Sequence, residues 1–271
     1  MTAYPLADLT LARRLERCEG RTNAAFVEAR ARLAPEIGAT WIERAGALAM
    51  FDGPGSPCTQ TFALGMFQTP SADDLTALEA FFSDRGAAVF HEVSPLAGIE
   101  TIDQLVARGY HPVELSSVLY QPIGALSAIP PAGPVRTRPA AAEEIEQWAA
   151  TAAEGWSEFT EVAPLIRDLA RVTASAGRTQ AFFAFAEIDG RPIATGAVAI
   201  HDGIALFAGA STIPSARNRG AQRALLHARL QYAAAQNADL AMMCTAPGSA
   251  SQRNAERQGF RIAYTRTKWG R

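Results

Sequence analysis

Thr212-Ile213-Pro214-Ser215-Ala216-Arg217-Asn218-Arg219-Gly220-Ala221-Gln222 joins an apolar run, 204–213, to a long Ala/Leu-rich segment, 221–237. The run has the length of a strand and the segment that of a helix, so the stretch between them is a basic, glycine-containing turn from strand to helix. The start of a helix presents unpaired backbone N–H groups and the positive end of its dipole, and Arg217 and Arg219 add two guanidiniums there. That combination cradles phosphate.

Working outward, 179–188 turns at Asp189-Gly190 into 192–200, which turns at His201-Asp202-Gly203 into 204–213. Asp-Gly between apolar runs signals a tight hairpin, so these three strands form an antiparallel meander. Upstream, the pattern predicts a short strand over 135–139 and a helix over 140–153, whose Glu143, Glu144 and Glu146 suit its first turns. A second helix follows over 164–175, opened by proline. Downstream come a strand at 240–245, a helix at 251–258 and a strand at 261–268. The class is α/β (α+β), a mixed, mostly antiparallel sheet flanked by helices.

The 271 residues suffice for one large or two ordinary domains, and 48% are apolar. A formal net charge of −2 gives no global field for nucleic acid, so anion binding must be local. Three cysteines, Cys18, Cys58 and Cys244, make neither a disulfide framework nor a metal pattern, and no metal site is expected. Neither a leader nor a run of roughly 18 to 20 apolar residues is evident, so the expectation is a cytoplasmic protein without membrane partners.

The segment 121–134 is crowded with Pro and Gly and lies close to the middle, which predicts a linker at 125–134 between domains 1–124 and 135–271. The two sides repeat. Leu105-Val-Ala-Arg-Gly109-Tyr110 before the linker matches Ala255-Glu-Arg-Gln-Gly259-Phe260 after it, each a short helix stopped by glycine and followed by a strand opening on an aromatic residue. Upstream of each is a helix leading to a strand that ends at proline, 75–85 then 87–95 and 225–236 then 239–247, at a spacing of about 150 residues. The first of these helices, however, is preceded by Asp73-Asp74 with no basic residue and no turn glycine, and two carboxylates there repel a pyrophosphate.

No Gly-x-x-x-x-Gly-Lys-Ser/Thr is present, and Gly53-Pro-Gly55-Ser-Pro-Cys58 lacks the third glycine of a dinucleotide fingerprint. Instead, Arg217-Asn-Arg-Gly220-Ala-Gln222, with the order of elements around it, resembles the acyl-CoA loop of the Gcn5-related N-acetyltransferase (GNAT) superfamily: Gln or Arg, two residues, Gly, one residue, then Gly or Ala. Gln222 stands where that pattern has a small residue. The resemblance implies two tandem GNAT-like domains, the first a degenerate copy, and acetyl-CoA as co-substrate. It also implies Arg217, Asn218, Arg219, Gly220, Ala221 and Gln222 around the pyrophosphate, Thr212 paired with pantetheine, and Ser251 and Asn254 touching CoA from the last helix. Helix capping is the other reading of Ser251 and Asn254.

Acetyl transfer to an amine needs a group to take the amine's proton and another to protonate the leaving thiolate. The family often places a tyrosine for the second task four residues before the glycine of the last helix, where this chain has Ala255. Tyr264, on the following strand, is the alternative donor, or else a packing residue. Glu187, and Glu154 and Glu158 flanking Trp156 in a loop that could roof the acceptor site, are the candidate bases, or else solvated charges. Cys244 falls near the implied acetyl position and is equally a small buried hydrophobe. Phe182, Phe183 and Phe185 line an acyl pocket or fill a core. The implied function is acetyl transfer to a primary amine of a small molecule or peptide, by a monomer or homodimer. The alternative is a non-catalytic acyl-CoA sensor.

Overall fold

The computed structural model describes residues 3–124, 133–176 and 181–271, so most of the expected linker, 125–132, lies outside the described residues. The chain forms two compact units. Pro122–Ala241 make up one, and Tyr4–Gln121 together with Met242–Arg271 the other.

In the first unit, strands β6 (Arg136–Pro139), β7 (Ala181–Ile188), β8 (Arg191–His201) and β9 (Ile204–Thr212) form an antiparallel sheet in the order β9-β8-β7-β6. Both hairpins turn where the sequence predicts. Asp189 and Gly190, and Asp202 and Gly203, all have positive φ, the conformation a two-residue turn needs to match strand twist. Helices α4 (Ile145–Glu154) and α5 (Ala163–Ser175) cover one face, and α6 (Ala221–Ala235) the other. β7 shows how both faces are filled. Phe183 and Phe185 pack with Trp148, Ala152 and Ala170 on the α4–α5 side, while Ala184 and Ala186 pack with Ala224 and Leu225 under α6. Phe182 stacks on Tyr232 with ring centroids 4.6 Å apart. Phe183 and Phe185 are therefore core.

The second unit has helix α1 (Leu9–Leu33), strands β1 (Thr40–Arg44), β2 (Ala47–Phe51) and β3 (Gln60–Phe62), helix α2 (Ala72–Ser83), strand β4 (Phe90–Val93), helix α3 (Ile99–Ala107) and strand β5 (His111–Pro122). Strand β10 (Leu240–Thr245) straddles the division between the units, and helix α7 (Ala250–Arg257) and strand β11 (Arg261–Gly270) follow it. The sheet order is β1-β2-β3-β4-β11-β5, antiparallel except for β3 with β4. Ser71 caps α2 in a reciprocal box with Asp74, and hydrogen bonds from Ser71 hold the Asp74 carboxyl below its usual range. The carboxylates expected to repel a pyrophosphate are thus built into that helix start.

This arrangement departs from a single domain over 135–271. The last strand, β11, lies between β4 and β5, pairing Thr267 with Val93 on one side and Thr267 with Leu115 on the other. Its Arg266, 3% exposed, is held in that unit by carboxylates from α1 and β4. The physical reason is the pairing itself: a strand bonded along both edges belongs to the sheet that surrounds it, whichever half of the sequence encodes it.

Candidate functional site

The expected passage from strand through turn to helix is formed. After β9 a short 3-10 turn, Pro214–Ala216, leads to Arg217, and α6 starts at Ala221 with Gly220 as its N-cap. Gly220 has φ 87°, and a β-carbon there would meet no atom within 4 Å, so the position is set by backbone conformation and opens to solvent. Asn218 is also left-handed, at φ 63°, which an asparagine tolerates. No side chain caps the helix. Its first-turn N–H groups therefore face a cleft of about 550 Å³ lined by Gly133, Pro134, Asn218, Arg219, Gly220 and Arg223. The lining holds two guanidiniums and no carboxylate. Arg219 is exposed and has no ion-pair partner among the described residues.

Two expected phosphate ligands have other engagements. The Gln222 amide donates to the Ser211 carbonyl at 3.0 Å and to Thr212 Oγ1 at 2.8 Å, tying helix to strand. Arg217 is absent from the cleft lining. Its Nη2 donates to the Gly155 carbonyl at 3.0 Å, and its Nη1 to the Glu158 carboxylate, both in the loop between α4 and α5. That loop is pressed on the end of β9. A β-carbon on Gly155 would lie 1.9 Å from Ser211 Oγ and 3.0 Å from the Thr212 backbone nitrogen, so only glycine permits the approach. Ser211 Oγ in turn donates to the Ala152 carbonyl at 2.7 Å.

Above this point β9 is irregular. Its register with β8 shifts between Thr195 and Ala197, opposite Gly209, whose φ is 60°. Thr195 Oγ1 donates to the Gly209 carbonyl at 3.0 Å. Arg229, from α6 and only 3% exposed, donates to the carbonyls of Ala197 at 3.3 Å and Ala208 at 3.4 Å and meets no carboxylate among the described residues. Burial alone pushes its guanidinium down to about 10. The sequence reading missed Arg229, although its signal is legible. It falls on the buried stripe Leu225, Arg229, Ala233 of α6, where a cation has no place unless it is satisfied internally.

The remaining expected residues are not gathered at the turn. Glu187 accepts from Arg138 Nε at 2.9 Å. Glu154 is exposed, with Arg191 at 3.9 Å. Ser251 and Asn254 are exposed on α7, whose cap is Ser249, accepting from the Gln252 N–H at 3.2 Å, so capping does not account for them.

Tyr264 belongs to the second unit, in a buried polar cluster. Its hydroxyl donates to Glu16 at 2.8 Å. Arg266 binds Glu19 through both terminal nitrogens and approaches Glu16 at 3.4 Å and Glu92 at 3.0 Å. Three carboxylates thus surround one buried guanidinium. Burial, opposed by Arg266 and reinforced by Glu19 and Glu92, lifts Glu16 to about 7. Burial and the Glu16 charge raise the Tyr264 hydroxyl well above its usual range. Cys244 Sγ lies 3.5 Å from Glu19 and 3.6 Å from Arg266, its thiol also pushed up by burial.

The turn thus combines an uncapped helix start with a cationic cleft whose lining holds no carboxylate. A sequence model of the acetyltransferase (GNAT) family matches residues 142–260, which span the meander, the turn and α6. That segment of the chain is similar to the GNAT family. Solved structures carry the same fold across both halves. A GCN5-related N-acetyltransferase from Kribbella flavida is 23% identical and aligns over 91% of this chain and 95% of its own, with a TM-score of 0.60. A tandem GNAT protein from the clavulanic acid biosynthesis pathway is 14% identical over 83% of this chain and 78% of its own, at 0.62. A GCN5-related N-acetyltransferase from Sphaerobacter thermophilus is 15% identical over 86% and 75%, at 0.54. No curated protein sequence matches. Among the described residues no group of three His, Cys, Asp or Glu could hold a metal ion, and no helix is long and apolar enough to cross a membrane.

Proposed function

We propose that this protein transfers an acetyl group from acetyl-CoA to a primary amine of a small molecule or peptide. The observation that carries the reading is the cleft at Asn218–Arg223: left-handed Gly220, the uncapped start of a 15-residue helix, and Arg219 and Arg223 with no carboxylate among them. These groups fit a diphosphate, and a thioester is what the family's donor supplies when bound. The backbone of Asn218–Arg223 would hold the phosphates. The irregular stretch of β9 around Gly209, fixed from behind by Arg229 and Thr195, would orient the acyl end. Alignment of amine and thioester then provides most of the acceleration.

A second reading, acyl-CoA binding without turnover, draws on the engaged acid–base candidates. Ala255 replaces the family's tyrosine, Tyr264 donates to Glu16, and Glu187 is paired with Arg138. Calorimetric titration of the intact protein with acetyl-CoA, followed by an amine panel, separates the two. One site per chain with turnover supports transfer. One site without turnover on any amine supports the sensor. Gly220→Glu puts bulk and negative charge into the cleft and is expected to abolish binding with the fold retained. Unchanged affinity would place the donor elsewhere.

A further inference from the structure

Arg217 is the first residue of the motif that would hold a diphosphate, yet its guanidinium is spent on the loop between α4 and α5. One nitrogen donates to the Gly155 carbonyl and another to the Glu158 carboxylate. We propose that Arg217 is a shared guanidinium, which a diphosphate in the cleft draws away from Glu158, so that donor binding frees a carboxylate on the loop beside the exposed Trp156 and Phe159. This rests on the reading that the cleft takes the CoA diphosphate.

Three observations support the exchange. Arg217 directly precedes Asn218 and Arg219, which line the cleft, and lies three residues before Gly220. The pair is solvent-exposed, at 42% for Arg217 and 52% for Glu158, and exposed ion pairs are held weakly enough for a dianion to displace. The loop itself need not leave when the pair parts, because Gly155 packs on Ser211 and Thr212 and the Ser211 hydroxyl holds Ala152. What changes is the charge the loop displays. A carboxylate neutralised by Arg217 becomes free, next to two aromatic rings whose centroids are 6.1 Å apart, a surface that suits the ammonium form of an amine bearing an apolar body. Glu158 is thus a positioning residue, and Arg217 couples its availability to the donor.

The test is calorimetric titration of full-length protein with CoA at low ionic strength. Removing the competitor with Glu158→Gln is expected to tighten CoA about two- to five-fold, the range an exposed pair allows. Glu161→Gln removes a nearby charge that Arg217 does not hold, and is expected to change affinity less. In an Arg217→Gln background the gain from Glu158→Gln is expected to vanish, as a double-mutant cycle requires of a direct interaction. Equal CoA affinity in wild type and Glu158→Gln, or a gain that persists without Arg217, overturns the exchange while leaving the proposed function standing. Absence of CoA binding in every protein overturns both.

Discussion

Replacing Glu16 by glutamine should remove that residue's own contribution to the pH dependence of folding. Glu16 is 1% exposed, accepts from Tyr264, and shares Arg266 with Glu19 and Glu92. Its carboxyl is lifted from 4.5 to about 7, so between those values the folded state holds a proton that the unfolded chain releases. Stability from this group is therefore complete below about pH 4.5 and falls as pH rises, until it is lost above about 7. At about 1.4 kcal/mol per pH unit the span is worth about 3 kcal/mol. Glutamine keeps an acceptor for the Tyr264 hydroxyl and carries no charge, so the variant should equal wild type near pH 5 and exceed it at pH 8. Urea unfolding of both proteins at pH 5, 6, 7 and 8 measures the difference, in which contributions from other groups, such as the raised Glu92, cancel. Identical slopes for the two proteins would refute the claim that a proton resides on Glu16.

Gly155→Ala places a β-carbon 3.0 Å from the Thr212 nitrogen and 3.1 Å from its carbonyl oxygen, which cannot rotate away. The expected cost is about 1–3 kcal/mol in chemical denaturation, together with weaker CoA binding, and unchanged stability would contradict the close approach. His91 is fully buried, neither ring nitrogen has a hydrogen-bond partner, and burial pushes it down to about 3. His91→Leu is accordingly expected to raise stability by about 1 kcal/mol, and a loss of that size in thermal unfolding would show that the ring is satisfied.

Where local signals are strong, the chain is legible. The two Asp-Gly turns fixed the meander, and the predicted strand at 240–245 coincides with β10. The helix expected from 140 begins as a 3-10 turn at Ala142–Glu144, and residues 179–180 of the expected strand lie outside the described residues. The 25-residue α1 and strands β1 to β3 went unread, because Gly20 interrupts the helical pattern of α1 and β1 to β3 are only three to five residues long. Backbone features of the site, Gly220 above all, follow from residue type. Partnerships do not. Nothing in the order of residues says that Arg217 turns to Glu158, Gln222 to Ser211 or Tyr264 to Glu16, since the partners stand 59, 11 and 248 residues apart. The placement of β11 is equally invisible, because its residues do not state whether it pairs within its own half or between β4 and β5.

That placement of β11 has a consequence for biosynthesis. During vectorial synthesis the first 121 residues emerge with β4 and β5 unable to meet their shared neighbour, and with Glu16, Glu19 and Glu92 lacking the guanidinium they enclose. Two unpaired strand edges and three crowded carboxylates must wait until β11, Arg261–Gly270, clears the ribosome. The earlier half is then completed by a strand made after the whole of the other unit, and a nascent chain arrested before Arg261 presents a sheet open at its centre for chaperones and proteases to read.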